Sequence, residues 1–256
     1  MSVLISVLRV TAGVILMALA TAIFAVVCTV LLPSRRLRIR ACNLFGHVVG
    51  RAVLFLAGAR IDDEAKVKAR MNASFPAIYV SNHTSALDIF AGMWASPFGT
   101  CGIAKKEVVY YPFLGQLYLI SGHLLIDRTN HERAIEAMRQ VAAIVLHWDM
   151  SVWLWPEGTR SKDGRLRPFK KGFAHLALAT GLPVVPVVVS GAHHSWKKGS
   201  LVVHPTRLGI QVLDPIPTTD WTLDTLDAHV AEVHARFAAA LPEDQRPLVE
   251  LTAAAK

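Results

Sequence analysis

Residues Val10 to Leu32 read VTAGVILMALATAIFAVVCTVLL, 23 positions without a single charge. As a helix this run is about 34 Å long, at about 1.5 Å per residue, against a hydrocarbon layer of about 30 Å. A secretory signal peptide has an apolar core of only about 7–15 residues. The run therefore predicts a retained membrane anchor, whether it crosses the bilayer or dips into one leaflet. Its flanks are unequal: Arg9 precedes it, whereas Arg35, Arg36, Arg38 and Arg40 follow it. Excess arginine after the span predicts that the rest of the chain lies on the cytoplasmic side.

A second helical pattern follows at 41–58. Asn43, His47 and Arg51 recur every four residues and form one polar stripe, with Leu44, Val48, Phe55 and Leu56 largely away from it. Such a helix suits the headgroup layer. Residues 1–58 are thus expected to form an N-terminal anchor of a hydrophobic helix (10–32) and an amphipathic helix (41–58). The remainder, 59–256, is expected to be a catalytic domain.

From residue 59 the pattern changes to short apolar runs ended by loop residues. Strands are predicted at 76–83, 99–105, 123–130, 151–160, 182–191 and 207–216. Helices are predicted at 131–147, with Asn130 as cap, at 171–181, and close to the C-terminus. Most strands are apolar throughout rather than alternating, as in a sheet covered on both faces. The fold class is α/β: a mostly buried mixed β-sheet flanked by helices, preceded by the anchor.

Lys and Arg outnumber Asp and Glu by 27 to 19, and 53% of residues are hydrophobic. An apolar, basic chain suits an anionic membrane surface or anionic substrates. Nucleic acid is not expected, because no tract interleaves basic residues with exposed aromatics. The three cysteines form no metal-ligand or redox spacing and read as reduced structural residues.

Three stretches carry chemistry. SNHTSALD (81–88) places His83 and Asp88 five residues apart, which is about 500° on a continuous helix. The two meet only if His83 precedes a helix and Asp88 lies one turn inside it. At this point a capped helix start and a base with its orienting acid both remain open. WPEGTRSKDGRLRPFKKG (155–172) follows an apolar strand and holds Glu157, Arg160, Lys162, Arg165, Arg167, Lys170 and Lys171. Arginine donates two parallel hydrogen bonds that match a phosphate. The stretch 102–130 adds Lys105, Lys106 and Arg128 at strand ends.

With LPVVPVVVSG (182–191), these stretches resemble, in order, the four motif blocks of the 1-acyl-glycerol-3-phosphate acyltransferases, within the glycerolipid acyltransferase family. The resemblance covers about residues 60 to 215. It implies that His83 is the general base and that Asp88 orients it. It implies that Arg160, Arg128 and Lys105 grip the acceptor phosphate, that Glu157, Gly158 and Thr159 shape the glycerol pocket, and that Pro186 lies on the acyl-donor side. Trp155 replaces the usual phenylalanine, a change expected to matter little.

The implied reaction moves an acyl group from acyl-CoA or acyl-carrier protein to the sn-2 hydroxyl of lysophosphatidic acid, forming phosphatidic acid. The resemblance implies neither a metal nor a bound cofactor. It suggests a bacterial inner membrane with the catalytic domain on its cytoplasmic face. Two other readings keep the fold: an acyltransferase for another lysolipid, such as a lyso-ornithine lipid, and a lipid-binding scaffold without catalysis. A Ser/His hydrolase is not expected, since no G-x-S-x-G elbow is present.

Overall fold

The computed structural model describes residues 3–126, 131–196, 200 and 202–248. Two helices come first, α1 (Val3–Val30) and α2 (Arg35–Leu56). They overlap the two predicted segments, each starting earlier and ending two residues sooner than expected, and the connection between them is shorter. Ser34 caps α2, its hydroxyl accepting from the Leu37 N–H at 3.3 Å. Both helices are long and apolar enough to cross a membrane by length and composition.

The polar stripe on α2 faces the protein. Asn43 donates to the Thr100 carbonyl at 2.9 Å and accepts from the Gly99 N–H at 2.8 Å. His47 bonds the Ser96 carbonyl at 2.7 Å, and Arg51 pairs with Glu64 at 2.9 Å. Phe45, Val49 and Val53, just beside the stripe, are buried in the main apolar core. Leu37, Leu44, Val48 and Phe55 are left exposed on the outside. The side chains that would prefer water are used to fasten the helix, and the apolar side chains face out. On α1 Val10, Leu16, Met17 and Phe24 pack against the core, most other large side chains are exposed, and Ser6, Thr21 and Cys28 are buried.

The remaining elements build one seven-stranded sheet. They are β1 (Ala59–Ile61), α3 (Glu64–Ala73), β2 (Ile78–Ser81), α4 (Leu87–Ala95), β3 (Thr100–Lys105), a 3-10 turn (Lys106–Tyr110), α5 (Leu114–Ser121) and β4 (Leu124–Ile126). Then come α6 (His131–Trp148), β5 (Ser151–Leu154), α7 (Gly172–Thr180), β6 (Val184–Ser190), α8 (Ala192–Ser195), β7 (Thr206–Val212) and α9 (Leu226–Ala240). The short β1 and α3 carry no strong pattern and were not expected from sequence.

The strand order is β1-β7-β6-β2-β5-β3-β4, and only β6–β7 is antiparallel. The sheet is therefore mixed and covered on both faces, as its apolar strands demand. On one face α1, α2, α3 and α4 pack over Tyr79, Trp153, Val185 and Val187. On the other, α6, α7 and α9 pack over Ile78, Val80, Val152 and Val188. The parallel pairing brings the carboxyl ends of β6, β2, β5, β3 and β4 to one edge of the sheet. In open α/β sheets, ligands bind at that edge.

Candidate active site

All the chemistry-bearing stretches leave the sheet at this carboxyl edge. His83 follows β2, the 155–172 loop follows β5, and Lys105 ends β3. Arg128, two residues past β4, lies outside the described residues, as does Asn130.

The loop from β2 to α4 is pinned on either side of His83. Asn82 is buried and behaves as an extra strand residue: it donates to the Val189 carbonyl at 2.7 Å and accepts from the Val189 N–H at 2.8 Å. The next backbone unit is clamped at both ends by the loop after β5. The His83 N–H donates to Glu157 Oε1 at 2.6 Å, and the His83 carbonyl accepts from the Ser161 N–H at 2.8 Å.

With its backbone fixed, the imidazole of His83 has one polar neighbour and one flat one. His83 Nδ1 lies 3.2 Å from Asp88 Oδ2. The ring stacks on Trp155, with centroids 4.8 Å apart and planes 25° apart. The Asp88 side chain is fully buried and that of His83 is 12% exposed. The same Asp88 oxygen accepts from the Thr84 N–H at 2.6 Å and the Ser85 N–H at 2.7 Å. A carboxylate in the first turn of α4, facing backbone N–H groups, is where the helix dipole favours negative charge. The cap and the dyad are thus one structure: Asp88 satisfies the helix entry and the imidazole with a single oxygen. Its other oxygen, Oδ1, is buried without a hydrogen-bond partner.

Glu157 is 3% exposed, with both oxygens turned inward. Oε1 meets the His83 N–H, and Oε2 accepts from the Arg167 N–H at 3.1 Å. Burial pushes its pKa up to about 8, against the pull of those two donors toward the charged form. It is a strut between the two loops. Gly158 and Thr159 are exposed and Arg160 is half-buried. Gly158 adopts φ 73°, and a Cβ there would meet the Lys170 side chain at 3.1–3.3 Å. Lys170 thus lies over the turn, a neighbour that spacing alone does not reveal. Lys105, Arg160 and Lys170 form no ion pair with any described residue, whereas Lys171 is paired with Asp227 and Arg165 bonds the Glu243 and Arg246 carbonyls. Pro186 is buried within β6 beside Val80, on the α7 and α9 side of the sheet with Val184 and Val188.

A cavity of about 200 Å³ lies between the sheet and α2, α4 and α5. Trp155 and Ile89 line it beside the dyad, and Phe45, Met93, Leu117 and Trp153 line it further along. Gly92 keeps it open at one wall, since a Cβ there would come within 3.0 Å of the Trp153 ring. Trp155 is accordingly far from incidental. It covers one face of the His83 ring and forms one wall of the cavity.

Comparison with known proteins bears on the family and the fold. The acyltransferase family model matches residues 62–190. A protein from Limnanthes douglasii named 1-acyl-sn-glycerol-3-phosphate acyltransferase is 44% identical over 225 residues, 88% of this chain and 79% of its own. The Escherichia coli protein of the same name is 32% identical over 213 residues, 83% of this chain and 84% of its own. The chain belongs to the acyltransferase family. Among solved structures, the 1-acyl-sn-glycerophosphate (LPA) acyltransferase PlsC of Thermotoga maritima superposes with a TM-score of 0.69 at 20% identity, covering 90% of this chain and 91% of that one. At that identity the likeness bears on the fold, which is the mixed α/β sheet expected from the sequence.

Proposed function

We propose that this acyltransferase forms phosphatidic acid by moving an acyl group from acyl-CoA or acyl-carrier protein to the sn-2 hydroxyl of 1-acyl-sn-glycerol 3-phosphate. The observation that carries the reading is the buried Asp88–His83 pair at a sheet edge that also holds cations without ion-pair partners among the described residues, Lys105, Arg160 and Lys170 among them. An alcohol is a weak nucleophile at neutral pH, and imidazole is the side chain that titrates near it. Asp88 on Nδ1 leaves Nε2 as the acceptor nitrogen. His83 takes the hydroxyl proton as the oxygen attacks the thioester carbonyl. The tetrahedral adduct collapses, the carbon–sulfur bond breaks, and the imidazolium returns its proton to the leaving thiolate. The substrate's own hydroxyl is the nucleophile, so no acyl-enzyme is required.

Arg160, Lys105 and Lys170 would hold the acceptor phosphate, and Arg128 joins them by sequence position. Gly158 and Thr159 offer the exposed backbone against which glycerol would lie. Glu157 supports that pocket from below through the backbone of His83 and Arg167. The apolar cavity beside Trp155 suits an acyl chain, with the thioester at its mouth. Pro186 shapes the strand under the donor side. The apolar outer faces of α1 and α2 hold the enzyme at a membrane, where its acceptor resides. Arg35 to Arg40, behind α1, favour the cytoplasmic face of a bacterial inner membrane.

The test uses purified protein in mixed micelles with lysophosphatidic acid and, separately, acyl-CoA or acyl-carrier protein. Phosphatidic acid formed by the wild type and lost in His83→Ala is the expected result. No phosphatidic acid from either donor, with product from another lysolipid, would overturn the acceptor assignment. Equal product from both proteins would remove His83 as the base.

A further inference from the structure

Apolar surface is left uncovered in a second place besides α1 and the outer face of α2. At the corner between the 3-10 turn and α5, Tyr110 is 81% exposed and Tyr111 is 52% exposed, and Pro112 beside them is exposed as well. This corner is built to hold its rings out. Phe113 takes the left-handed region at φ 65°, and the Gly115 N–H donates to the Tyr111 carbonyl at 2.9 Å. A Cβ on Gly115 would lie 2.5 Å from the carbonyl oxygens of both Val108 and Val109. Only glycine permits so close a fold-back, which turns the tyrosines away from the protein.

The corner is tied directly to the two N-terminal helices. Leu117 and Ile120 of α5 pack in the core shared with α1 and α2. Arg38 donates to the Ile120 carbonyl at 2.7 Å and Arg35 donates to the Gly122 carbonyl at 3.0 Å, so α2 holds the C-terminal end of α5. Leu119 on α5 is 58% exposed. Lys105, exposed and without an ion-pair partner among the described residues, immediately precedes the turn. Tyrosine rings with a polar tip, next to a lysine and on a segment packed against α1 and α2, match the chemistry of a phospholipid headgroup layer.

We propose that the Tyr110–Pro112 corner is a second membrane contact, seated in the headgroup layer of an anionic bilayer beside α1 and α2. This rests on the reading of those helices as the anchor. Val108 and Tyr111 also line the cavity. The lipid surface therefore touches the wall behind which an acyl chain would lie.

Nitroxide labels on single cysteines test this in full-length protein bound to mixed phosphatidylcholine–phosphatidylglycerol vesicles. The labels sit at Tyr110→Cys, at Leu19→Cys on the exposed side of α1, and at Leu223→Cys. Leu223 is 72% exposed and adjoins the layer on the far face of the sheet. Wild type, whose three cysteines are buried, gives the labelling background. The label at 110 should show the higher oxygen-to-nickel-chelate collision ratio of a lipid site, between the values at 19 and 223. A ratio at 110 equal to that at 223, with 19 in lipid, would overturn the second contact and leave the anchor standing. A water-like ratio at both 19 and 110 would overturn both.

Discussion

Asp88→Asn isolates the charge of the dyad from its geometry, because of where the hydrogen bonds converge. The Thr84 N–H, the Ser85 N–H and His83 Nδ1 all meet one oxygen, Oδ2. The amide oxygen of asparagine can take that place and keep all three. Its NH2 then falls at the Oδ1 position, which is buried and has no partner. The imidazole keeps its tautomer, with Nε2 free to accept a proton. Only the negative charge facing the forming imidazolium is lost.

Unit charges about 4 Å apart interact by about 4 kcal/mol at an effective dielectric of about 20. A hydrogen bond to a charged group contributes about 1.5–3 kcal/mol. With the imidazolium only partly formed at the transition state, roughly 2–4 kcal/mol is at stake. At about 1.36 kcal/mol per decade, kcat should fall about 30- to 1,000-fold with little change in acceptor KM. The buried NH2 should cost about 1–3 kcal/mol of stability, or about 2–12 °C in Tm for a chain of this size. Initial rates of phosphatidic acid formation in mixed micelles, well below the variant's Tm, give both constants. A loss of about 10⁴, as when an amide N–H faces the histidine of a triad and inverts its tautomer, would refute the shared-oxygen geometry. A raised KM with unchanged kcat would refute the dyad itself.

Four further outcomes follow from the same geometry. Arg160→Ala should raise the acceptor KM by about 10- to 150-fold, the worth of a charge-assisted bond, in steady-state kinetics that vary lysophosphatidic acid. Trp155→Phe should keep kcat within a few-fold, whereas Trp155→Leu should lower it about tenfold, since an aromatic pair contributes about 0.5–1.5 kcal/mol. Glu157→Gln should destabilise the fold by about 1–3 kcal/mol, because an NH2 then faces a backbone N–H. Glu157 has a folded-state pKa raised from its ordinary 4.5 to about 8, so its contribution is greatest below about 4.5 and declines as pH rises to about 8. Urea melts should therefore show a smaller deficit of Glu157→Gln at pH 8.5 than at pH 5.5. Burial and Arg35 hold the pKa of His123 down at about 4 from 6.5. Its contribution is complete above about 6.5 and is lost as pH falls toward 4, so His123→Gln should flatten the acid limb of the stability curve, followed by the same melts.

What the sequence made legible is what local pattern can encode. The uncharged run of 23 residues specifies a long apolar helix. The continuous apolar strands specify a covered sheet, and the five-residue spacing of His83 and Asp88 requires a helix to start between them. The structure starts α4 at Leu87. Partnerships made across the sheet were not legible. Asn82 lies near the end of the predicted 76–83 strand, yet its side chain bonds the backbone of Val189 in β6, 107 positions away. Glu157 reads as a pocket residue, yet both its oxygens turn inward to backbone donors. Trp155 reads as a neutral exchange, yet its ring stacks on His83. Each role depends on β2, β5 and β6 lying side by side, which no single stretch records.

The α2 helix shows how a correct period can still leave the environment open. Asn43, His47 and Arg51 do form a stripe, and ordinary amphipathic logic would turn a polar stripe to water. On this helix two of the three polar groups satisfy carbonyl or N–H groups of the β3 and α4 region, and the third pairs with α3. The apolar residues Leu44, Val48 and Phe55 then face outward. An exposed apolar face of that extent, continuous with α1, is costly in water and favourable in lipid. The arrangement couples anchoring to catalysis. Asn43 and Phe45 of α2 line the cavity that reaches Trp155, so the membrane-facing helix also forms a wall of the site. Loosening Asn43 from Gly99 and Thr100 would therefore disturb the cavity as well as the anchor. Asn43→Leu should raise the KM for the acyl donor and weaken vesicle binding together; weakened binding with an unchanged donor KM would show that the two functions are separable.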